Sequence, residues 1–339
     1  MQHNKDHLFK IISKFGDYSV LIIGDIILDE YIWGNASRLS PEAPVPILEV
    51  KKYSHIPGGA ANVASNVATL KGKAVLIGVV GNDHQAELLV KSLEEHNINS
   101  KFIIKDNSRP TTVKTRLIAH NHQLTRADRE VKTPIGIEIE EKIMLNVEEA
   151  IGSIDLVLLS DYAKGVLTPS LIKRIIGTAK RENKPVLVDP KGLELGKYSE
   201  ATIITPNRLE AELATKSPSG TPPEILAKLV KTESNVEHIL VTLGEEGILL
   251  YSLEQFKKIP AVTSEVFDVT GAGDSLISTI ALALPAGDGD LETAIALGNY
   301  AAGVAVRKIG TTTVLQEELK HIIEHDLIDS KAENAMNNC

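Results

Sequence analysis

An acidic residue follows a glycine-rich turn in the segment Val266-Phe-Asp-Val-Thr-Gly-Ala-Gly-Asp-Ser275, and the apolar run Leu276 to Leu284 comes directly after it. Glycines let a backbone approach an anion closely, and the free N–H groups of a first helical turn point outward at the positive end of the helix dipole. Asp274 would there accept the proton of an attacking hydroxyl group. The neighbouring amides would stabilise developing negative charge, namely those of Gly271, Ala272 and Gly273. This pairing is typical of phosphoryl transfer, although an ordinary turn that caps a buried helix has the same pattern.

The elements that must position this turn alternate along the chain. Apolar, β-branched runs predict buried strands at Val20–Ile23, Ala74–Ile77, Leu156–Leu159, Pro185–Val188, Thr202–Ile204 and His238–Thr242. Helix-like stretches lie between most of them, at Asn62–Leu70, His84–His96, Pro169–Arg181 and Pro222–Lys231. Strand followed by helix, repeated, predicts a mostly parallel sheet that helices cover on both faces.

Length and composition indicate one large enzyme domain with a smaller appendage. The chain has 339 residues, a length that exceeds the usual size of a domain with a single core. Its hydrophobic content of 43% is sufficient for a large core. The formal net charge of −9 argues against a nucleic-acid surface, which needs a clustered basic face. The only cysteine, Cys339, excludes a disulfide framework and a cysteine metal site.

No targeting or membrane segment is recognisable. Residues 1–15 carry charges at Lys5, Asp6, Lys10 and Lys14 and lack the continuous apolar region of a signal peptide. No apolar run approaches the length that spans a bilayer. We therefore expect a cytoplasmic protein without membrane insertion, whose polar residues 331–339 form a flexible tail.

Two glycine-rich segments, far apart in the chain, carry a family resemblance. Asp268-Val-Thr-Gly-Ala-Gly-Asp274 resembles the C-terminal signature of the ribokinase-like (PfkB) carbohydrate kinases, and Gly58-Gly-Ala-Ala-Asn62 resembles their N-terminal signature. The segments Gly24-Asp-Ile-Ile-Leu-Asp-Glu-Tyr31 and Ser37-Arg-Leu-Ser-Pro-Glu-Ala-Pro-Val-Pro46 are similar to the kinase domain of the heptose-7-phosphate kinases of ADP-heptose synthesis. The resemblance implies a three-layer α/β/α domain over residues 1–330, with a central, mostly parallel sheet and a small β-sheet lid.

The resemblance places the lid at about 31–52 and 101–125. Tyr31–Lys52 contains three prolines in a strand-poor context, whereas Phe102–Ile104 and Thr111–Ala119 predict strands with no helix between them. In this family such a lid covers the sugar site and often forms a dimer contact, so we expect a homodimer through it. Two long surface loops are the alternative.

On the sugar side, Asp29 ends the first strand region, at the carboxyl edge where open α/β sheets bind ligands. A carboxylate there can accept hydrogen bonds from two hydroxyls, and the resemblance makes Asp29 the sugar-binding acid. Asp25 is equally well interpreted as a cap of the following turn. Gly58 and Gly59 would let the backbone approach the sugar, with Asn62 in the first turn of the next helix. A plain loop before a helix is the alternative.

A sugar that already carries phosphate needs cationic partners, and arginine suits phosphate oxygens. The segment Asn121-His-Gln-Leu-Thr-Arg126 with Asp128 resembles the Gln-Gln-Leu-x-Arg-x-Asp segment of the heptose kinases. The candidate ligands for this end of the substrate are Arg38, Arg116, Gln123, Arg126 and Lys164. A solvated charged face is the alternative for each. One departure from the family pattern is Ala163, where glycine is expected.

On the nucleotide side, Asp189-Pro-Lys191 follows one strand and Thr205-Pro-Asn-Arg-Leu-Glu210 follows the next. The second segment resembles the family's Asn-x-x-Glu motif, which organises magnesium and the ATP phosphates. Mg²⁺ keeps much of its hydration shell, so the single carboxylate of Glu210 is a plausible metal ligand. A helix start with Asn207 as N-cap is an alternative that is compatible with this role. The expected nucleotide-site residues are Lys191, Asn207, Arg208, Leu209, Glu210, Thr242, Gly244, Gly247 and Asn299.

Three of these assignments are open at this point. The glycines of Thr242-Leu-Gly-Glu-Glu-Gly247 fit a hairpin as readily as a wall of the ATP site. Asn299 would lie near the adenine or between helices. Thr311–Thr313 could help bind a monovalent cation.

The resemblance implies ATP- and Mg²⁺-dependent phosphorylation of the anomeric hydroxyl of D-glycero-β-D-manno-heptose 7-phosphate to the 1,7-bisphosphate. A kinase for another sugar or nucleoside, such as ribose, fructose or adenosine, is an alternative, and a non-catalytic sensor on the same fold is another. A dinucleotide-dependent oxidoreductase is excluded because Gly-x-Gly-x-x-Gly does not follow the first strand. The His-x-Gly-His signature of the nucleotidyltransferase in bifunctional relatives does not occur, so we expect adenylyl transfer to belong to another chain, unless this sequence is a fragment cut from a bifunctional protein.

Overall fold

The computed structural model describes residues 5–120, 122–262, 266–308 and 310–325. Asn121 and the expected tail at 331–339 lie outside these residues. The strands are β1 (Ser19–Gly24), β2 (Ile26–Leu39), β3 (Pro46–Gly59), β4 (Lys73–Val80), β5 (Ile103–Lys105), β6 (Val113–Ala119), β7 (His122–Arg129), β8 (Leu156–Ser160), β9 (Val186–Asp189), β10 (Ile203–Ile204), β11 (His238–Thr242), β12 (Ile248–Ser252) and β13 (Gln255–Ile259). The helices are α1 (Lys5–Ser13), α2 (Ala60–Thr69), α3 (His84–Glu95), α4 (Ile137–Ala150), α5 (Pro169–Arg181), α6 (Arg208–Ala214), α7 (Pro223–Ser234), α8 (Ala272–Ala286) and α9 (Leu291–Ala305), and a further helix covers 316–325.

Within the described residues, the larger sheet has nine strands in the order β13-β12-β11-β10-β9-β8-β1-β4-β5. Its neighbours are parallel from β11 to β5, and β12 and β13 are added as antiparallel hairpin strands. Both faces are buried: in β1, Val20 and Ile22 belong to the core on one face, and Leu21 and Ile23 to the core on the other. Burial on both faces explains the continuous apolar runs. The predicted three-layer α/β/α architecture with a mostly parallel sheet is confirmed.

The strand order reverses at β1, which pairs with β4 on one side and with β8 on the other. In open α/β sheets, ligands bind outside the carboxyl ends of the strands at such a point. Gly24 ends β1 so close to β8 that a Cβ atom there would lie 2.0 Å from the carbonyl oxygen of Ser160. Asp25 and Asp161 follow these two strand ends, so two acidic residues meet at the predicted ligand edge.

The smaller sheet has the order β3-β2-β6-β7. Strands β2 and β3 are each 14 residues long, so the interpretation of Tyr31–Lys52 as strand-poor is wrong. Pro46 opens β3, and Pro41 and Pro44 lie in the connection before it. Proline removes no ladder hydrogen bond at these positions. The three prolines therefore mark the turn between two long strands.

The prediction of a lid strand at Phe102–Ile104 is also wrong. Strand β5 pairs in parallel with β4 at the edge of the larger sheet. Helix α3 lies between β4 and β5 in the chain, so these elements form a β-α-β unit. The absence of a helix between β5 and β6 therefore does not indicate that β5 belongs to the same sheet as β6. The strands of the smaller sheet, called the lid below, cover 26–39, 46–59, 113–119 and 122–129, whereas the expected lid segments were about 31–52 and 101–125.

Helix α8 begins at the predicted glycine turn. Gly271 is its N-cap and has φ of 79°, in the left-handed region that glycine adopts without steric cost. The residues from Leu276 to Leu284 are all buried, and α8 packs against α2 and α9. An internal helix thus presents its positive end, with Asp274 in the first turn, to the ligand edge of the sheet. None of the described helices is long and apolar enough to cross a membrane.

Candidate active site

Asp274 is fixed by side chains from two other parts of the chain. Only 7% of the residue is exposed. Asn62, on α2, donates a hydrogen bond from Nδ2 to Asp274 Oδ2 at 2.6 Å, and the hydroxyl of Tyr162 donates to Oδ1 at 2.7 Å. Asn62 was predicted as a sugar ligand and here contacts the predicted base. Tyr162 was not predicted as a site residue.

Burial raises the pKa of Asp274 to about 6, and the charge of Asp29 adds to the rise. The hydrogen bonds from Asn62 and Tyr162 lower the pKa because they stabilise the ionised carboxylate. A carboxylate with this pKa is a stronger base than an exposed aspartate and is still mostly ionised at pH 7. Asp274 therefore has the proton affinity that a general base needs.

A buried carboxylate holds the loop that carries Tyr162. Asp25 is 1% exposed, and its oxygens accept hydrogen bonds from the backbone N–H groups of Tyr162 at 2.9 Å, Lys164 at 3.0 Å and Val166 at 3.2 Å. Asp25 therefore caps this distant loop and not the turn that follows it in sequence. Within the loop, Ala163 has φ of 53°, in the left-handed region that disfavours side chains with a Cβ atom.

Asp274 opens onto a cavity of about 310 Å³ between the start of α8 and the carboxyl ends of β9, β10 and β11. The cavity brings the predicted base and parts of the glycine turn together with predicted nucleotide-site residues, which are Lys191, Asn207, Glu210 and Thr242. Asp161 and Asp189 add two carboxylates to the lining that were not predicted as site residues. A second cavity, of about 400 Å³, lies at the opposite end of the strands and has a mainly apolar lining.

The Asn207-x-x-Glu210 motif forms a capping box at the start of α6. Asn207 Oδ1 accepts a hydrogen bond from the Glu210 amide at 2.9 Å, and Glu210 Oε2 accepts one from the Asn207 amide at 3.0 Å. Glu210 Oε1 lies 2.5 Å from Lys191 Nζ. All three side chains also line the cavity, so the N-cap function and a contact with a ligand are compatible.

The acidic lining of the cavity fits a divalent cation. Burial, together with the charges of Asp274 and Glu210, raises the pKa of Asp189 well above its ordinary value. Asp161 is paired with Lys197 at 2.7 Å, and Glu210 with Lys191 at 2.5 Å. A divalent cation beside Asp189 and Glu210 would therefore compete with Lys191 for the Glu210 carboxylate. Within the described residues, no group of three or more acidic, histidine or cysteine side chains is placed to hold a metal.

Two of the three amides in the glycine turn have no backbone acceptor among the described residues. The Ala272 amide already donates to the carbonyl of Val269 at 3.3 Å. For the amides of Gly271 and Gly273, the described part of the chain offers no backbone acceptor. A Cβ atom at Gly273 would meet nothing within 4 Å. Of the three predicted amides, those of Gly271 and Gly273 are therefore available to an anion.

The predicted sugar acid Asp29 is 4% exposed and already paired. Its Oδ1 lies 2.6 Å from Arg116 Nη1, and its Oδ2 accepts a hydrogen bond from the Thr311 hydroxyl at 3.1 Å. A Cβ atom at Gly58 would lie 2.4 Å from Asp29 Oδ2, so only glycine fits there. Gly59 has φ of 59°, which also favours glycine. A sugar hydroxyl at Asp29 would share the carboxylate with Arg116.

Of the other predicted ligands of the substrate phosphate, Lys164 and Arg126 are ion-paired, whereas Arg38 and Gln123 lie toward the outer end of the lid. Lys164 pairs with Glu130, and Arg126 with Asp128. The side chain of Arg38 is 66% exposed, and its carboxylate partner is Glu49 at 3.7 Å, near the far end of β2. Gln123 is exposed on β7 opposite Ile118. The structure therefore does not bring Arg38 or Gln123 to the site, because both lie toward the outer end of the lid.

The remaining nucleotide-site predictions fall outside the cavity lining. Gly244 and Gly247 lie in the hairpin between β11 and β12, with φ of 62° and 90°, which agrees with the hairpin alternative. Arg208 pairs with Glu246 of that hairpin at 2.5 Å, and Leu209 is 63% exposed. The side-chain amide of Asn299 donates to the carbonyl of Pro260 at 2.7 Å, which agrees with a structural role.

A doubly covered α/β sheet, a lid sheet and a buried aspartate at a glycine-led helix start define a phosphoryl-transfer enzyme of the sugar-kinase type. The sequence profile described as pfkB family carbohydrate kinase matches residues 18–318. The chain therefore belongs to the pfkB family of carbohydrate kinases.

Several curated relatives are similar over most of this chain. The bifunctional protein HldE of Helicobacter pylori strain Shi470 is 42% identical over 306 residues, which are 90% of this chain and 66% of that protein. The bifunctional protein HldE of Desulfatibacillum aliphaticivorans is 42% identical over 324 residues, 94% of this chain and 66% of that protein. This chain thus spans about two thirds of the length of these relatives.

Solved structures share the fold at lower identity. Arabidopsis thaliana ribokinase complexed with ribose and ATP superimposes with a TM-score of 0.68 at 19% identity, covering 90% of this chain and 98% of that one. Phosphofructokinase-2 from Escherichia coli in complex with potassium gives a TM-score of 0.73 at 20% identity, covering 91% and 98%. The predicted ribokinase-like fold is confirmed.

Proposed function

We propose that this chain transfers the γ-phosphoryl group of ATP to the anomeric hydroxyl of D-glycero-β-D-manno-heptose 7-phosphate. The product would be the 1,7-bisphosphate, a precursor in ADP-heptose and lipopolysaccharide core synthesis. The observation that carries the proposal is the buried Asp274 carboxylate, held by two hydrogen bonds and open to a cavity lined by the predicted nucleotide-site residues. Because ATP is the co-substrate, we assign the reaction to the cytoplasm.

The choice of a heptose phosphate has two supports. The segments Gly24–Tyr31 and Ser37–Pro46 resemble the heptose-7-phosphate kinases. Proteins named bifunctional HldE are 42% identical over most of this chain. The solved neighbours, which share only the fold, do not discriminate between sugars.

In the proposed reaction, Asp274 accepts the proton of the attacking hydroxyl while the phosphoryl group moves in line. Asn62 and Tyr162 orient the carboxylate and keep it ionised. The amides of Gly271 and Gly273, at the positive end of α8, stabilise the charge on the transferred group. In this proposal the base and the anion site lie within one helical turn.

On the other wall of the cavity, Lys191 and Asn207 would contact the ATP phosphates. Bound Mg²⁺, held through Asp189 and Glu210, would neutralise phosphate charge. The sugar would lie under the lid against Asp29, Gly58 and Gly59.

We also propose a homodimer through the lid. Exposed apolar surface favours association. The exposed apolar side chains of the lid and of its β2–β3 connection are Leu39, Val45, Val50, Tyr53 and Leu124. Light scattering during size-exclusion chromatography should give twice the chain mass, and Tyr53→Glu should shift the protein toward the monomer. A monomeric wild-type protein at micromolar concentration would rule out this interface.

The catalytic proposal is tested by coupled ATP turnover with Mg²⁺. The acceptors are heptose 7-phosphate, unphosphorylated heptose, ribose, fructose and adenosine, and Asp274→Asn serves as the inactive control. Turnover confined to heptose 7-phosphate is expected. Preference for an unphosphorylated acceptor would overturn the heptose phosphate assignment while leaving the sugar-kinase class intact.

A further inference from the structure

Lys114 lies on the face of the lid that turns toward the catalytic carboxylate. On β6 it pairs directly with Asp29 of β2 and with Asp128 of β7. Directly opposite residues in a sheet project to the same face, so Lys114 shares a face with the buried Asp29. Its Nζ lies 5.7 Å from the ring centroid of Tyr162, and the hydroxyl of that ring bonds Asp274. Lys114 is therefore placed between the predicted sugar acid and the predicted base.

Unlike the neighbouring cations, Lys114 has no carboxylate partner among the described residues. Three of them are paired with carboxylates at 2.5–2.7 Å: Arg116 with Asp29, Lys164 with Glu130 and Arg126 with Asp128. For Lys114 Nζ, the described residues provide no carboxylate oxygen within 4 Å, although the side chain is half-buried. A partly desolvated cation that lacks a close counter-ion is stabilised when an anion binds beside it.

The electrostatic environment agrees with this picture. Burial lowers the pKa of Lys114, the charge of Asp29 opposes the change, and the three neighbouring cations lower the pKa further. An incoming dianion would relieve the repulsion among these cations. Because Arg116, Lys164 and Arg126 are each paired with a carboxylate, the uncompensated positive charge among these four residues lies at Lys114.

The anion belongs to the acceptor side and not to ATP. Lys114 does not line the cavity that contains Lys191, Asn207 and Glu210. It lies on the lid opposite Asp29, and its Nζ is 5.7 Å from the ring of Tyr162, the residue through which it borders that cavity. An anion at Lys114 would thus be attached to the molecule whose hydroxyl is presented to Asp274.

We propose that Lys114 binds a phosphate group that the sugar acceptor already carries, with Lys164 and Arg126 at the rim of this subsite. The inference rests on the proposed function, in which the acceptor is a sugar phosphate. It makes Lys114 the residue that distinguishes phosphorylated from unphosphorylated acceptors.

The test compares Lys114→Met with wild type, because methionine keeps a long apolar side chain against Tyr162. Steady-state kinetics are measured with heptose 7-phosphate, fructose 6-phosphate and ribose 5-phosphate, and with the unphosphorylated forms of the same sugars. For whichever phosphorylated acceptor the wild type uses, KM should rise roughly 10- to 100-fold, as expected for loss of a hydrogen bond to a charged group. The assays are run at pH 8, because loss of the Lys114 charge raises the pKa of Asp274 and would reduce its ionised fraction at lower pH. Under these conditions the KM for ATP and any turnover of unphosphorylated sugar should change little. Lys51→Met, at an exposed lid lysine, is the matched control.

The outcomes separate this inference from the proposed function. If wild type uses heptose 7-phosphate and Lys114→Met has the same KM, the inference fails and the proposed function stands. If wild type uses a different sugar phosphate, the proposed function fails, and a raised KM for that acceptor in Lys114→Met still supports the inference. Turnover of unphosphorylated sugars alone would overturn both. An equal fall in kcat with both acceptor types, with KM unchanged, would overturn the inference, because Lys114 would then act on the transferred phosphoryl group or through the pKa of Asp274.

Discussion

The hydroxyl of Tyr162 donates a 2.7 Å hydrogen bond to Oδ1 of Asp274, and the backbone of Tyr162 is held by the buried carboxylate of Asp25. Burial and the charge of Asp274 raise the pKa of the Tyr162 phenol well above its ordinary value, so the phenol remains a donor across the physiological pH range. The strand-end loop after β8 is thereby coupled to the base on α8. This coupling keeps the carboxylate oriented and opposes the rise in its pKa that burial causes.

Replacing Tyr162 with phenylalanine should move the acid limb of the kcat/KM profile to higher pH. The limb should lie near pH 6 in wild type, because Asp274 acts only when ionised and its pKa is about 6. Without the phenol, the ionised form loses one of its two donors, so the pKa of Asp274 rises further. A pH profile of kcat/KM checks this. Tyr251→Phe is the control, since that hydroxyl bonds Glu254 far from the site, and an unshifted limb in Tyr162→Phe would contradict the coupling.

Asp274→Asn should remove nearly all turnover, leave ATP affinity almost unchanged and stabilise the fold at neutral pH. The folded-state pKa of Asp274 is about 6 against an ordinary 3.8, so burying the ionised group costs roughly 2–3 kcal/mol at pH 7.5. Stability is lost as pH rises from about 4 to 6, where the folded state binds the extra proton. Asparagine removes the charge and keeps one acceptor oxygen, for the Tyr162 hydroxyl, while its Nδ2 can donate to Asn62 once the Asn62 amide turns over.

Urea unfolding of wild type and Asp274→Asn at pH 7.5 and at pH 4 measures this effect. The gain in free energy of unfolding should be present at pH 7.5 and small at pH 4. A variant that keeps near-normal turnover would remove Asp274 from the base role. A variant less stable than wild type at pH 7.5 would contradict the cost of the buried charge.

Glu210→Gln should raise the Mg²⁺ concentration for half-maximal activity by roughly 10- to 100-fold, because one of the two carboxylates proposed to hold the ion is lost. Glutamine can still complete the capping box, so the melting temperature should change little. Mg²⁺ titrations of turnover check this, with Glu224→Gln, at an exposed residue of α7, as the control. An unchanged Mg²⁺ dependence would exclude Glu210 as a metal ligand.

Ala163→Gly should stabilise the protein by about 0.5–1 kcal/mol, because glycine relieves the strain of a left-handed φ. The free energy of unfolding from urea titration checks this. Ala43→Gly, in an exposed loop outside the left-handed region, should give no gain. A loss of stability in Ala163→Gly would show that the loop tolerates the alanine without strain.

The sheet, the glycine turn and the capping box could be predicted from local patterns. Buried parallel strands appear as apolar runs, and Gly271 with the following apolar run indicates a helix start. Asn207 and Glu210 have capping-box spacing. Each of these signals lies within one segment, so no tertiary information is needed.

The partners of Asp274 and the lid boundaries depend on contacts between distant segments. Tyr162 is 112 residues from Asp274 in the chain, and no local pattern joins them. One signal was present: Tyr162 follows a buried strand that ends at the same sheet edge as β1. Lys114 could likewise have been noticed two residues before Arg116, since alternate residues of a strand share a face.

The most direct test of the central claim is ³¹P NMR of the product that wild type forms from heptose 7-phosphate, ATP and Mg²⁺. We predict a second phosphate ester resonance coupled to the anomeric proton, formed together with ADP and missing with Asp274→Asn. Release of inorganic phosphate without a new ester, or an ester on another carbon, would contradict phosphorylation of the anomeric hydroxyl by Asp274 chemistry.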